Sequence, residues 1–249
     1  MQFITLGTGT YVPKLDVVTS CYLLKANNLN ILFDFGRGAL NQLLKAGIEY
    51  YQIDCIFITH FHADHINDLI SLLNISFFEP PGQEKRTKDL VIYGPVGIKE
   101  NIHDLLKALH YEDKEPKHKI IIKELEDKEI IEIKDIKIKS FIVKHSTNSN
   151  CLSYKIENNN KIICYSGDSS ECEGLKKVCQ DADLAIIEAT LPNKIENVGH
   201  LNPNQALKLA QECNVKKLVL THLSAESLGD AKKLGDKVII AKDMMKFEL

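Results

Sequence analysis

The stretch at positions 59–65 constrains the fold and chemistry of this chain more than any other, because it contains three histidines and an aspartate. It follows an apolar, strand-like stretch and precedes a helical pattern. Since side chains alternate along a strand, His60 and His62 point to one side, and the turn into a helix brings Asp64 and His65 back towards them. Buried imidazoles need hydrogen-bond partners, so a core rarely contains so many together. The stretch therefore predicts a metal site where a strand meets a helix.

Three other strand-like stretches run directly into a residue that can bind a metal. These residues are His145, Asp168 and His222. In open α/β sheets, sites lie at the carboxyl ends of the strands. Each of these residues taken singly is more often part of a loop edge. Together with the stretch at 59–65, they predict one shared metal-binding site.

Strand-like and helix-like patterns alternate along the whole chain. The extended candidates are rich in β-branched residues and lie at 30–35, 55–59, 90–93, 130–133, 136–143, 161–165, 184–188 and 217–221. The segment 111–139 alternates charged residues with isoleucine and predicts antiparallel strands with a solvated face. No linker-like segment divides the chain. We therefore expect one α/β domain over residues 1–249, layered as helix, sheet, sheet and helix.

Helical patterns lie between these strands and carry recognisable start and stop signals. One apolar stripe has helical spacing and consists of Ile66, Leu69, Ile70 and Leu73. Asn202 is a candidate N-cap for a helix that has Pro203 at its first position. A helix that begins near Ala39 is expected to end at Gly47.

The composition narrows the class of protein. A net charge of −3 excludes an overall basic character, so nucleic-acid binding would need a local basic patch. The seven cysteines are scattered without a CxxC pair, which argues against a disulfide framework or a thiolate zinc site. The chain shows no signal-peptide pattern and no apolar stretch of about 18 residues. We expect a cytoplasmic protein with no membrane partner.

These motifs resemble those of the metallo-β-lactamase superfamily, and the matching parts span nearly the whole chain. The resemblance implies a four-layered αββα sandwich that binds two divalent metal ions. It assigns seven ligands: His60, His62 and His145 for one ion, Asp64, His65 and His222 for the other, and Asp168 as the bridge. Imidazole and carboxylate ligands suit zinc, with manganese or iron as alternatives. By the same resemblance, Asp34 orients a ligand histidine.

The ligand types favour a hydrolytic branch of the superfamily. Position 168 carries an aspartate where true β-lactamases have cysteine, and His62 is not replaced by the carboxylate of the di-iron redox branch. The stretches 6–10 and 92–95 resemble ribonuclease Z and its phosphodiesterase relatives, as do Glu188–Thr190 and His200. This resemblance assigns proton transfer near the scissile phosphate to Glu188 and His200. From the residues alone, each has a structural explanation that is about as good as the catalytic one. Glu188 is then a carboxylate at a strand end that contacts a loop, and His200 is an exposed residue before a helix.

Some features depart from ribonuclease Z. The enzymes of this type that process transfer RNA carry a long arm between the third and fourth motifs, whereas the interval from His145 to Asp168 fits one hairpin joined by three asparagines. Residues 66–68 differ from the glycine–leucine pair typical of those enzymes, and the early loop at 13–16 lacks their arginine. Phosphodiester chemistry is compatible with these differences. Specificity for transfer RNA does not follow from the resemblance.

The resemblance thus implies a dinuclear metal-dependent hydrolase, in the first place a phosphodiesterase acting on a small phosphodiester or an RNA 3′ end. It implies a hydroxide that bridges the two metals and is oriented by Asp64, with His200 and Glu188 protonating the leaving oxygen. The alternatives are a tRNA 3′-processing endonuclease, a hydrolase of carboxylic esters, lactones or thioesters, and a binding module that retains a metal site. Relatives in this family often form homodimers.

The remaining charged clusters and histidines carry weaker signals. Basic clusters at 85–88, 216–217 and 232–233 are most simply solvated faces. Alternatively, the first cluster, which follows Glu79–Gly82, forms a loop over the site and contacts a substrate phosphate. His103, His110 and His118 match no motif and are expected at the surface.

Overall fold

Two seven-stranded sheets form in the computed structural model, which describes residues 1–78, 82, 84–111, 114–145, 150–195 and 199–249. The first sheet contains β1 (Gln2–Gly7), β2 (Cys21–Ala26), β3 (Leu29–Phe33), β4 (Cys55–Phe57), β5 (Leu90–Pro95), β6 (Ile120–Leu125) and, beside β1, β14 (Met245–Glu248). The second contains β7 (Ile130–Ile133), β8 (Ile136–Val143), β9 (Cys151–Asn158), β10 (Lys161–Tyr165), β11 (Leu184–Glu188), β12 (Leu218–Thr221) and β13 (Ile239–Ile240). The helices are α1 (Ala39–Lys45), α2 (Ala63–Phe78), α3 (Ile98–Ala108), α4 (Glu173–Cys179), α5 (Pro203–Glu212) and α6 (Ala225–Lys232).

Three apolar clusters show how these elements are layered. The cluster between the sheets is largely aromatic and includes Phe33, Phe57, Tyr154 and Tyr165. A second cluster packs α1, α2 and α3 on the outer face of the first sheet. A third packs α4, α5 and α6 on the outer face of the second sheet. The four-layered αββα sandwich predicted from the sequence is therefore confirmed.

Strand direction determines where the functional residues gather. Strands β3 to β6 pair in parallel in the first sheet, and β10 to β13 do so in the second. β8 runs in the same direction as β10, because β9 lies antiparallel between them. The strands that precede the predicted ligands therefore end at a common edge of each sheet, which is where parallel sheets place their sites.

Helix boundaries follow the predicted capping residues. The side-chain oxygen of Asn202 accepts a hydrogen bond from the Gln205 backbone N–H at 2.9 Å, and Pro203 is the first residue of α5. Gly47 follows α1 with a φ of 74°, the left-handed conformation that glycine adopts most readily after a helix. No helix among the described residues is long and apolar enough to cross a bilayer.

The sequence predicted antiparallel strands for the segment 111–139, and the structure corrects this prediction. Residues 112 and 113 lie outside the described residues. β6 pairs in parallel with β5, whereas β7 pairs antiparallel with β8 at the edge of the other sheet. Helix α3 connects β5 to β6, and strands joined through a helix favour parallel pairing. The charged residues and isoleucines of this segment thus indicated strands with a solvated face, without specifying which sheet each strand joins.

The interval between His145 and Asp168 contains the predicted hairpin. β9 and β10 pair through Asn158 and Lys161, so Asn159 and Asn160 form a two-residue turn. Both turn residues have positive φ, 49° and 58°, as a tight hairpin requires. From residue 150 to residue 168 there is consequently no inserted arm.

Candidate metal centre

Three imidazoles meet beside the ends of β4 and β8. His60 and His62 lie between β4 and α2, and His145 lies after β8. His62 Nδ1 is 3.0 Å from His60 Nε2 and 3.1 Å from His145 Nε2. A neutral imidazole has one nitrogen with a free lone pair, and three such nitrogens at this separation can share one metal ion.

Two histidines and an aspartate form a second group. Asp64 and His65 lie in the first turn of α2, and His222 follows β12. Asp64 Oδ2 is 3.1 Å from His222 Nε2 and 3.8 Å from His65 Nε2. His222 has a φ of 53°, so the chain turns immediately after β12. All three residues are buried.

The carboxylate of Asp168 lies between the two groups. It follows β10 and is 3% exposed. Its Oδ1 is 3.4 Å from His65 Nε2, and its Oδ2 is 3.7 Å from His222 Nε2. The same Oδ2 is 3.9 Å from both His60 Nε2 and His145 Nε2. One buried carboxylate therefore faces ligand atoms of both groups, as a bridging ligand must.

The buried ring of His65 tests whether these residues fit a metal. Its Nδ1 contacts Asp34 Oδ2 at 2.6 Å, but its buried Nε2 has no hydrogen-bond partner among the described residues. A buried nitrogen without a partner is costly, and coordination would satisfy it. Within each group the ligand atoms lie within 4.8 Å of one another. This set of imidazoles and carboxylates fits divalent metal ions.

Two of these side chains have the protonation states that metal coordination requires. Burial, together with the neighbouring His65, holds the pKa of His60 well below its usual value. Burial acts to raise the pKa of Asp168, but His222 and His65 outweigh burial and hold that pKa well below its usual range. His60 is therefore a neutral lone-pair donor and Asp168 is an anion. These are the protonation states in which both residues bind a metal. For His65, burial acts to lower the pKa, but Asp168 and Asp34 outweigh burial and hold that pKa well above its usual value.

Asp34 supports the stretch at 59–65 from behind. Its positive φ of 56° turns the chain directly after β3, and its carboxylate faces the residues that follow β4. That carboxylate accepts a hydrogen bond from the Thr59 backbone N–H at 2.8 Å and contacts His65 Nδ1. Gly36 allows the following backbone to approach α2, because a Cβ at this position would lie 2.0 Å from the carbonyl oxygen of Asp64. Asp34 thus contacts a ligand histidine, in the position that the resemblance implied.

Three residues to which the sequence assigned no role contact the Nδ1 atoms of other histidines. The pairs are Thr59 Oγ1 with His60, the Gly199 carbonyl with His145, and Thr190 Oγ1 with His222, at 2.9, 2.7 and 2.8 Å. Each contact occupies Nδ1 and leaves Nε2 to face the site. Both threonines stand two residues after the last residue of a buried strand in the structure, and the sequence carries no separate signal for them.

Glu188 and His200 form a pair at the edge of the site. Glu188 Oε1 lies 2.8 Å from His200 Nδ1, and the His200 side chain is 20% exposed. Burial acts to lower the pKa of His200, but the hydrogen bond to Glu188 and the charge of that carboxylate outweigh it and raise the pKa to about 9. His200 Nδ1 is also 3.9 Å from Asp168 Oδ2. An imidazole with a raised pKa therefore adjoins the candidate ligand groups.

The basic cluster at 85–88 lies away from the site. The alternative prediction, in which this cluster forms a loop over the site, is therefore wrong for the residues that the structure describes. Lys88 Nζ is 2.6 Å from Asp54 Oδ1, directly before β4, whereas His60 lies beyond the other end of that strand. Arg86 is buried and donates to the Tyr50 and Asp89 carbonyls. Residues 79–81 and 83 lie outside the described residues. The three histidines without a motif lie outside the ligand groups. His103 and His110 are exposed, as expected, whereas His118 is half-buried.

A cleft of about 720 Å³ opens beside His222. Three lysines and two aspartates line it, together with apolar side chains: Lys14, Lys232, Lys242, Asp16 and Asp243. Asp243 is engaged by the chain itself, since it accepts hydrogen bonds from the backbone N–H groups of Thr8 and Val18 at 3.0 and 2.7 Å. Lys14 is engaged as well, since its Nζ donates to the Leu223 carbonyl at 3.2 Å, and the lining keeps three lysines against two aspartates. Such a cleft suits an anionic ligand that also carries an apolar group.

A family model and a curated relative match this chain over most of its length. The family model, described as "Beta-lactamase superfamily domain", matches residues 29–223, which include all seven candidate ligands. A ribonuclease Z from Methanosarcina acetivorans is 28% identical over 304 residues, covering 98% of this chain and 96% of that protein. The aligned length exceeds the 249 residues of this chain, so that relative contains segments without a counterpart here.

Two solved structures share the fold over the whole chain. The metallo-beta-lactamase fold protein YhfI from Bacillus subtilis has a TM-score of 0.83 at 22% identity, covering 100% of this chain and 98% of that one. The short form of human tRNase Z (ELAC1) has a TM-score of 0.78 at 28% identity, covering 100% and 99%. The chain therefore belongs to the β-lactamase superfamily and is a metal-dependent hydrolase of the metallo-β-lactamase fold.

Proposed function

We propose that this hydrolase is a phosphodiesterase with His200 as its proton donor. The observation that carries the proposal is the 2.8 Å contact between His200 Nδ1 and Glu188 Oε1 at the edge of the ligand groups. An alkoxide that leaves a phosphodiester needs a proton, and a positioned imidazolium supplies one efficiently. His200 Nε2 has no hydrogen-bond partner among the described residues, so its proton is available to a leaving oxygen.

Each residue of the site has a defined task in this proposal. Two divalent ions, which we expect to be zinc, would be held by His60, His62 and His145, by Asp64, His65 and His222, and by Asp168 between them. When bound, these ions lower the pKa of water and neutralise charge on the phosphate. Asp64 orients the attacking water through its carboxylate. His200 Nε2 donates a proton to the leaving oxygen, while Glu188 stabilises the imidazolium through Nδ1–H.

The substrate that we propose is a small phosphodiester or an RNA 3′ end. The cleft beside His222 supports the RNA 3′ end, because its lysines complement phosphate and its apolar lining complements a base. The names of the curated relatives support an RNA substrate as well. A net charge of −3 provides no general attraction for RNA, so recognition would depend on this local cleft.

A second candidate function is endonuclease activity on the 3′ end of transfer RNA. The observation that favours it is the similarity to ribonuclease Z across nearly the whole chain. The hairpin of β9 and β10 distinguishes the two candidates, because it stands where the transfer-RNA enzymes carry a long arm. A small diester or a short RNA end does not require such an arm.

The decisive experiment compares two generic substrates on zinc-loaded protein. Steady-state hydrolysis of bis(p-nitrophenyl) phosphate and of p-nitrophenyl acetate would be measured with and without a chelator. The Asp168→Ala variant serves as the control that lacks the shared ligand. We expect chelator-sensitive turnover of the diester and little turnover of the acetate ester.

Hydrolysis of the acetate ester without hydrolysis of the diester would overturn the proposed substrate class. Chelator-sensitive turnover of the acetate ester alone would indicate an acyl hydrolase and leave His200 without its assigned task. Turnover of the diester would justify a second assay with precursor transfer RNA and a short RNA of matched 3′ sequence. Cleavage of the precursor alone would favour the second candidate.

A further inference from the structure

The hydroxyl of Thr190 lies between a candidate metal ligand and a buried carboxylate. Its Oγ1 is 2.8 Å from His222 Nδ1 and 3.0 Å from Glu188 Oε2. A hydroxyl donates one proton, and a carboxylate is a stronger acceptor than the backbone carbonyl of His222 at 2.9 Å. Thr190 therefore donates to Glu188 and accepts from the Nδ1–H of His222. The lone pair of His222 is then on Nε2, which faces Asp64 at 3.1 Å.

The first sheet contains a matching arrangement. Thr59 Oγ1 is 2.9 Å from His60 Nδ1 and 2.9 Å from Asp34 Oδ2. Thr59 stands two residues after β4, as Thr190 stands two residues after β11. Each sheet thus provides one chain of contacts from a buried carboxylate through a threonine to a histidine. The chain from Asp34 ends in the first ligand group, and the chain from Glu188 ends in the second.

In the second chain of contacts, Glu188 binds His200 as well as the threonine that contacts His222. It is 1% exposed and accepts hydrogen bonds on both carboxylate oxygens. Its Oε1 accepts from His200 and from the Ser169 backbone N–H at 3.1 Å, directly after Asp168. Its Oε2 accepts from the backbone N–H of Thr190 at 2.8 Å, in addition to the Thr190 hydroxyl. A single carboxylate therefore holds the proposed proton donor and, through Thr190, a metal ligand.

We infer that Thr190 is a positioning residue that fixes the His222 ring and couples it to the His200–Glu188 pair. Without this hydroxyl, the Nδ1–H of His222 loses its acceptor and the ring is free to present either nitrogen to the site. Partners of this kind typically contribute about 10–100-fold to metal affinity. The inference rests on the proposed function in one respect, since it takes the two ligand groups as the place where metals bind.

Metal affinity in the absence of substrate provides the test. Zinc-loaded protein would be titrated with a chromophoric chelator to obtain the affinities of the two bound equivalents. We expect Thr190→Val, which keeps the shape of threonine, to weaken one equivalent by about 10–100-fold and to leave the other unchanged. Thr190→Ser keeps the hydroxyl and should restore the affinity to within about threefold of the unmodified protein.

Two further variants separate positioning from general destabilisation. In a His222→Ala background, Thr190→Val should have no additional effect on zinc affinity, because the ring that it positions is absent. Thr59→Val should weaken the other equivalent, and its effect should add to that of Thr190→Val. Unchanged affinities in Thr190→Val, an equal loss in Thr190→Ser, or a full additional loss in the His222→Ala background would each overturn the inference.

A measurement on the unmodified protein does not depend on the folding of any variant. Long-range proton–nitrogen spectra of zinc-loaded protein should show His222 with its proton on Nδ1, assigned by comparison with His222→Ala. A proton on Nε2 would overturn the inference. Because no substrate is present, a selective loss of zinc in Thr190→Val would support the inference even if no phosphodiester were hydrolysed, so the two failures are distinguishable.

Discussion

Tyr165 Oη donates a hydrogen bond to Asp34 Oδ2 at 2.5 Å, and this contact joins the two sheets directly behind the candidate metal ligands. Tyr165 is the last residue of β10, and Asp34 follows β3. Both side chains are almost completely buried. Asp34 also contacts His65 Nδ1, so the second sheet stabilises the partner of a candidate ligand that lies in α2.

We expect Tyr165→Phe to lower the free energy of unfolding by about 1.5–3 kcal/mol, the usual contribution of a hydrogen bond to a charged acceptor. The phenyl ring preserves packing between the sheets, so the loss measures the hydroxyl. Denaturant-induced unfolding of the metal-free protein, followed by circular dichroism, would give the value. Metal-free protein is used because bound metal would add its own stabilisation.

Tyr154→Phe is the matched control. Tyr154 is also buried between the sheets, but its hydroxyl donates to the backbone carbonyl of Ile58 at 2.6 Å. Its removal should cost about 0.5–1.5 kcal/mol, because the acceptor is uncharged. A loss in Tyr165→Phe no larger than that in Tyr154→Phe would show that the carboxylate of Asp34 is not the important partner.

The contrast between Tyr165 and the histidines shows what the sequence could reveal about the site. His60, His62 and His65 are close in the chain, and strand and helix periodicity suffices to place them together. The contact between Tyr165 and Asp34 spans 131 positions and depends on how the two sheets pack. No local pattern specifies that packing. The supporting hydroxyls, unlike the candidate ligands, were therefore beyond sequence analysis.

The edge strands illustrate the same limit for the fold. β6 and β7 both combine isoleucines with charged residues, and a strand-like pattern was recognised over the segment that contains them. They nevertheless join different sheets, because α3 returns the chain parallel to β5 whereas a tight turn sends β7 into β8. Periodicity reports which face of a strand is buried. It does not report the partner strand.

Removal of metal should lower the melting temperature. Ligands present at about 1,000 times their dissociation constant stabilise a protein by about 4 kcal/mol, which is about 8–16 °C for a chain of this size. The buried Nε2 of His65 gives the physical reason, because coordination provides the partner that it lacks among the described residues. Calorimetry with added zinc and with a chelator would measure the shift. Identical melting temperatures in the two conditions would contradict metal binding at this site.

Asp168→Ala should lose both metal equivalents, whereas His62→Ala should retain one. The reason is that Asp168 faces ligand atoms of both groups, whereas the hydrogen-bond contacts of His62 among the described residues are with His60 and His145 of the first. Metal content per chain after gel filtration, measured by atomic emission, would give the stoichiometry. Retention of both equivalents in Asp168→Ala would contradict the bridging position.

His200→Ala should reduce kcat for a phosphodiester by about 100-fold or more, the usual contribution of a general acid. Its metal content should remain that of the unmodified protein, because the seven candidate ligands are all retained in this variant. His103→Ala, an exposed histidine on α3, is the control and should change neither quantity. A parallel loss of metal in His200→Ala would make His200 a ligand rather than a proton donor.

The cleft beside His222 predicts how substrate size affects recognition. Lys14→Ala and Lys232→Ala should each raise KM for a short RNA by about fivefold, which corresponds to about 1 kcal/mol for a contact between a lysine and a phosphate near the surface. They should leave KM for bis(p-nitrophenyl) phosphate unchanged, because a small diester does not reach beyond the ligand groups. Steady-state kinetics at several salt concentrations would show the difference.

Lys88→Ala is the control for charge alone. It removes the same positive charge at the opposite end of β4, where Lys88 contacts Asp54. If the cleft binds RNA, Lys88→Ala leaves KM unchanged, and each lysine lost from the cleft reduces the salt dependence of binding by about one unit of slope. An equal rise in KM for all three variants would instead indicate that RNA responds to the net charge of the protein. The cleft would then have no part in substrate recognition.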